Sequence, residues 1–192
     1  MWIKEVHYGT IDGGPHAGTL AFHIQVTAGE PEPDEIADAI MAIREFPAGP
    51  GKTIRLFGEF PQSNDAAVMT LLTPLKNYGY YVIAEVPGQE FHQWYNYPTQ
   101  MGQGISKMVD WLVFHITDAV WPPVNCQELR YHLRKDSSRT PVLPEQPGRL
   151  LVVPEDIAAG ELLVFLRDAE EPWAIYLETK KNLSVLVWGG EE

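Results

Sequence analysis

Strand-like and helix-like segments alternate along this chain, and that alternation limits its fold more than any other feature. Trp2 to Tyr8 and Thr19 to Thr27 read as strands; in the second, Leu20, Phe22, Ile24 and Val26 alternate with polar or small residues. The run Gly9 to Gly18 between them is rich in turn formers and reads as a loop. Glu30-Pro31-Glu32-Pro33 opens a helix, with Asp34 and Glu35 suited to its positive N-terminal end and Ile36, Ile40 and Ile43 on one face. Pro47 and Gly49 to Gly51 end it, and Thr53 to Phe57 reads as a short buried strand. Ser63 or Asn64 caps a second helix whose core stripe is Val68, Leu71, Leu72 and Leu75. Gly79 stops that helix, and Pro74 is expected to kink or shorten it.

Tyr80 to Val86 and Val109 to Ile116 are the next strands, and Glu128 to Arg134 is assigned to a short helix. Leu150 to Val153 is a strand, Glu155 to Asp168 a helix, and Trp173 to Glu178 and Leu183 to Trp188 the last strands. Such a succession predicts an α/β fold: a mostly parallel sheet with crossover helices, either open or curled into a partial barrel. With 192 residues the chain can bury one substantial core, so residues 1–192 are expected to form a single α/β domain.

The formal charge of −12 argues against nucleic acid, whose binding depends on Lys and Arg displacing counterions. The densest basic group, Arg130, Arg134, Lys135 and Arg139, reads as a solvated helix end. Apolar runs such as Trp111 to Ile116 and Leu162 to Leu166 fall far short of the roughly 20 residues of a membrane span. No signal-peptide pattern is visible at the N-terminus, so a soluble, cytoplasmic protein is expected.

Cys126 is the only cysteine, which rules out an internal disulfide and a cysteine-ligated cluster built from this chain alone. Asn125 and Glu128 have the spacing of a capping box, which would place Cys126 in the first turn of a helix. His132 would then lie about 240° around that helix from the thiol, too far to serve as its base. Gly49-Pro50-Gly51-Lys52-Thr53 ends like a phosphate-binding loop, but Phe46 stands where the first glycine is needed and a strand follows. The six histidines show no HxH or HxxxH spacing, although His7, His23 and His115 lie on strands that folding could bring together. No catalytic residue and no metal ligand is assigned.

Several segments in order along the chain resemble the radical S-adenosylmethionine (SAM) superfamily, especially its small glycyl-radical activases and carboxydeazaguanine synthases. Tyr8-Gly9-Thr10-Ile11-Asp12-Gly13-Gly14 followed by Thr19-Leu20-Ala21-Phe22 looks like the family's entry into its first barrel strand. Leu56-Phe57-Gly58-Glu59-Phe60-Pro61 resembles the Gly-Gly-Glu-Pro segment that holds the SAM amino group, with Phe57 and Phe60 departing from it. Leu75 to Gly88 and Val109-Asp110-Trp111-Leu112-Val113 look like two later family strands, and Leu150 to Glu178 like the closing β–α–β unit. The resemblance implies a partial (β/α) barrel. The defining Cys-x₃-Cys-x₂-Cys loop is missing: after Val26 the chain runs Thr27-Ala28-Gly29-Glu30-Pro31-Glu32-Pro33 straight into the helix.

The resulting reading is a catalytically degenerate radical SAM-like domain, without a self-contained iron–sulfur cluster or other cofactor, that persists as a binding or structural protein. Gly58, Glu59, Glu85, Asp110 and His115 are its candidate ligand-binding residues, Glu59 and Glu85 being remnants of a SAM or ligand pocket. Expected partners are another protein, a second copy of the chain or a small molecule. Trp94, Tyr95, Tyr97 and Trp121 would suit a protein interface. Two alternatives stand beside this reading: a cluster-independent enzyme using those carboxylates and His115 on a small polar or nucleotide-like substrate, and a subunit of a larger assembly such as a virus particle.

Overall fold

The computed structural model describes residues 1–12, 15–47, 51–60, 64–87, 108–116, 127–133, 149–154, 174–178 and 184–187. They contain nine strands and two helices: β1 (Ile3–Thr10), β2 (Leu20–Val26), α1 (Pro33–Glu45), β3 (Thr53–Gly58), α2 (Asp65–Asn77), β4 (Tyr81–Pro87), β5 (Trp111–Ile116), β6 (Glu128–Leu133), β7 (Arg149–Pro154), β8 (Ala174–Glu178) and β9 (Ser184–Val187). All nine join one sheet in the order β1-β2-β3-β4-β5-β6-β7-β8-β9. The pairs from β2 to β8 are parallel, and β1 and β9 close the two ends antiparallel to their neighbours.

This order never reverses, so each parallel strand is added on the same side of its predecessor. A doubly wound sheet differs, because it turns back at a switch point. Crossovers running in one direction place their helices on one face. Both described helices do lie on one face. Ile36, Ala39 and Ile43 of α1 and Ala67, Val68, Leu71, Leu72 and Leu75 of α2 share a core with Phe22, Ile24, Val26, Ile54, Leu56, Val82, Ala84, Val86, Leu112 and Phe114. Fully buried Trp2 and Phe60 complete it.

Local chemistry explains the helix ends. Pro33 stands in the first turn of α1, where its missing N–H costs nothing. Pro74 lies inside α2, which ends three residues later at Asn77 with Tyr78 as its C-cap. The Gly79 amide donates to the Lys76 carbonyl and the Tyr80 amide to the Leu75 carbonyl, the paired bonds of a Schellman stop. Gly79 takes φ 80° to make them, a conformation that side chains penalise.

One expectation is overturned. Residues 128–133 form strand β6, not a helix, paired with both β5 and β7. Consequently Arg130 is buried within the sheet instead of lying on a solvated helix end. Asn125, Cys126, the helix expected over 155–168 and the aromatics at 94, 95, 97 and 121 lie outside the described residues. Among the described residues, no helix is long and apolar enough to cross a membrane.

Candidate functional site

Because side chains alternate across a strand, the face opposite the helices is formed by the other half of each strand. Near the N-terminal ends of the parallel strands this second face is apolar, with Ile11, Ala21, Ile83 and Val113 buried together and Trp111 packed on them. The β1–β2 loop closes that end. Its Ile11 amide donates to the Thr19 carbonyl, and the His16 ring meets Trp111 edge-on at 4.8 Å and Tyr81 at 6.0 Å.

Further along the strands the same face turns polar, and its charged groups form a continuous network over β3 to β6. Arg55 on β3 forks onto Glu85 on β4, Nε to Oε1 at 2.7 Å and Nη2 to Oε2 at 2.9 Å. Such two-point pairing is the strongest geometry available to an arginine and a carboxylate. Arg130 on β6 approaches Glu85 Oε1 with Nη1 at 3.3 Å and donates from Nε to Glu128 Oε1 at 2.7 Å. Glu128 is completely buried and also accepts from Trp111 Nε1 at 3.1 Å.

Histidines flank the network on both sides. His115 Nε2 lies 3.4 Å from Glu85 Oε2, and His115 Nδ1 lies 2.9 Å from His132 Nε2 on the adjacent strand. On the other side, Arg55 Nη1 approaches His23 Nδ1 at 3.4 Å, and the His23 ring stacks on His7 at 4.6 Å. Arginine only donates, so His23 Nδ1 must accept, and the proton of the neutral ring sits on Nε2. The Arg55 guanidinium also lies over the Phe57 ring, 4.8 Å from its centroid.

These contacts set the charge states. Burial alone would raise the Glu85 pKa, but bonding to His115 and Arg55 and the positive charges of Arg130 and Arg55 outweigh it and hold the carboxyl well below the usual range. His23 is pushed the other way from a protonated state. Its burial lowers its pKa, and the Arg55 and His7 charges lower it further against the pull of the Gly9 backbone and Asp12.

The structure separates the five predicted site residues. Glu85 and His115 meet in the network. Gly58 and Glu59 lie at the C-terminal end of β3 and serve the backbone there. Gly58 adopts φ 123°, and a Cβ on it would run into the Val26 carbonyl oxygen. The Glu59 amide donates to that carbonyl, and its carboxylate accepts from the Ala28 amide at 3.1 Å. Asp110 sits at the opposite end of the sheet, where it accepts from the Val82 amide at 2.7 Å and pairs with Lys76 at 2.6 Å. The grouping of His7, His23 and His115 is divided, since Arg55 and Glu85 stand between the first two and the third. Among the described residues, no group of three or more His, Cys, Asp or Glu side chains is placed to hold a metal.

Arg55, Glu128, Arg130 and His132 were missed as site residues, although the sequence held a signal for them. Glu128-Leu129-Arg130-Tyr131-His132-Leu133 alternates polar and apolar residues with the period of a strand.

The segment linking β2 to α1 is short and tied at several points. The Thr27 amide donates to the Trp2 carbonyl and its hydroxyl to the Met1 carbonyl, and Asn64 Nδ2 donates to the Gly29 carbonyl. The Glu35 carboxylate at the start of α1 accepts from the Trp2 and Ile3 amides at 3.0 and 2.8 Å. None of these donors is a thiolate, so the residues here do not fit an iron–sulfur cluster. Comparison with protein-family models, with curated proteins and with solved structures finds no match for this chain.

Proposed function

We propose that this chain is a radical SAM-like partial barrel without radical chemistry, which binds a small polar ligand on the charged face of β3 to β6. Three features support the reading. The singly wound strand order is that of a (β/α) barrel. The barrel-type division of labour is also present, with an apolar plug at the N-terminal strand ends and polar groups toward the C-terminal ends. The third feature carries most weight: the short link between β2 and α1 is closed by its own hydrogen bonds, where the family would carry its cluster loop. Glu59, which the resemblance would assign to the SAM amino group, is engaged in that closure.

An enzymatic role for Glu85 is less well supported. A general base works best with a pKa near the operating pH, and Glu85 is held far below that. Its two arginines make it an anchor for the face.

The test has two arms. Anaerobic incubation of the purified protein with iron, sulfide, dithionite and SAM is expected to give no 5′-deoxyadenosine; its release would overturn the loss of chemistry. A thermal-shift screen of nucleotides and small polar metabolites is expected to find a stabilising compound whose effect disappears in His115→Ala. A stabilisation unchanged in that variant, or none across the screen, would overturn the assigned face.

A further inference from the structure

We propose that the N-terminal end of the parallel strands is a docking surface for an acidic segment of another protein, one that carries an aromatic or large aliphatic anchor residue. The proposal is independent of the ligand reading above, which concerns polar groups further along β3 to β6. It begins from topology. In a parallel sheet each crossover helix ends beside the start of the next strand, so α1 finishes next to β3 and α2 next to β4, at one end of the sheet. Among the described residues six large apolar side chains are exposed, and four of them, Leu20, Phe46, Tyr78 and Tyr81, stand at this end, each 38–44% exposed. Leu20 and Tyr81 open β2 and β4, and Phe46 and Tyr78 follow the last turns of α1 and α2. Exposed apolar residues gathered in one place mark an interaction site, whereas the same residues scattered singly would need no explanation.

The charge at this end is opposite to that of the chain. Asp and Glu outnumber Lys and Arg by 26 to 14, yet two bases converge on Tyr78. The Arg44 guanidinium lies over the ring, 4.5 Å from its centroid, and Lys52 Nζ donates to the Tyr78 carbonyl at 2.9 Å. Neither base forms an ion pair with a carboxylate among the described residues, Glu45 beside Arg44 included. The helix C-termini carry partial negative charge, which offsets only part of these two full charges. Arginine, tyrosine and phenylalanine are residues that anchor protein interfaces. A partner's carboxylates would meet both bases around one aromatic ring, with apolar surface on either side for its anchor residue.

Other occupants fit less well. Nucleic acid and anionic membrane call for more than two bases, on a chain whose formal charge is −12. A second copy would have to offer its densest acidic stretch, Glu30 to Glu35, which opens α1 and so lies at the other end of the sheet. That contact is head-to-tail and gives rings or open chains rather than a two-fold dimer.

Selection of a random phage-displayed peptide library on the wild-type protein, counter-selected on the Arg44→Ala/Lys52→Ala/Tyr81→Ser variant, tests the proposal. The expected result is enrichment of peptides with net negative charge and at least one aromatic or large aliphatic residue. The leading peptide, made with a fluorescent label, should bind one per chain and more weakly at high salt. Arg44→Ala and Tyr81→Ser should each weaken that binding about five- to tenfold. Lys4→Ala, a base near the other end of the β1–β2 pair, should leave it unchanged. The three replaced side chains are exposed, and circular dichroism of each variant checks that lost binding is not lost structure. Enrichment of basic or uncharged peptides, no enrichment, or binding unchanged in both single variants would overturn the proposal. So would self-association in light scattering, or sedimentation with phosphatidylserine vesicles, that Tyr81→Ser abolishes, because each gives the surface to another occupant.

Discussion

Burying a carboxyl normally raises its pKa above the ordinary 4.5, yet Glu85 is driven below it by His115, Arg55 and Arg130. Its contribution to stability is therefore fully present above pH 4.5 and is lost as pH falls toward the lower folded-state value. His23 acts in a higher window. Below its ordinary pKa of 6.5 the unfolded chain takes up a proton that the folded chain resists, so stability declines as pH drops from 6.5 toward the depressed folded value. Urea unfolding of the wild type should accordingly lose stability in two steps on acidification. His23→Gln should flatten the step that begins at pH 6.5 and leave the step below 4.5; an unchanged upper step would refute this role for His23.

At the level of elements, the ends of β2 and β3 are joined by a close backbone approach that only glycine allows. Gly58 combines a positive φ with a Val26 carbonyl oxygen standing where a Cβ would go, so Gly58→Ala should cost about 1–3 kcal/mol in chemical denaturation. A cost near zero would show that the strand ends can separate freely. The helices and the first four strands were legible in the sequence because local periodicity and burial agree there. Ile36 and Ile43, and Val68, Leu71, Leu72 and Leu75, face the core as their spacing predicts. Strand β6 was misread because Asn125 and Glu128 mimic a helix cap and because its charges suggested solvent. Those charges in fact lie inside, paired with Glu85 and with each other, and tertiary pairing overrode the local signal. Asp110 was read as a site residue from its place in a strand motif, but its hydrogen bond to Val82 and ion pair with Lys76 join β5 to β4 and α2. Its place at the start of the strand read over 109–116 already set it at the N-terminal end of that strand, with His115 near the other end.

Across the molecule, the network couples four strands that belong to four separate stretches of chain. Glu85 is 5% exposed and faces two arginines, so its removal leaves positive charges uncompensated in the interior. Glu85→Ala should destabilise the fold by about 3–5 kcal/mol, as expected for breaking a buried ion pair by removing one partner. A loss below about 1 kcal/mol in urea titration would place the network in effectively solvent-screened surroundings.

The strictly sequential strand order has a further consequence for how the chain is made. Every described strand from β2 onward pairs with the described strand synthesised just before it, so none of these nine has to wait for a distant segment to emerge. The sheet can therefore grow in the direction of translation, one loop closure at a time, with entropy lost in small steps. The growing edge of the sheet is always the newest strand, and the next segment to leave the ribosome is the one that covers it.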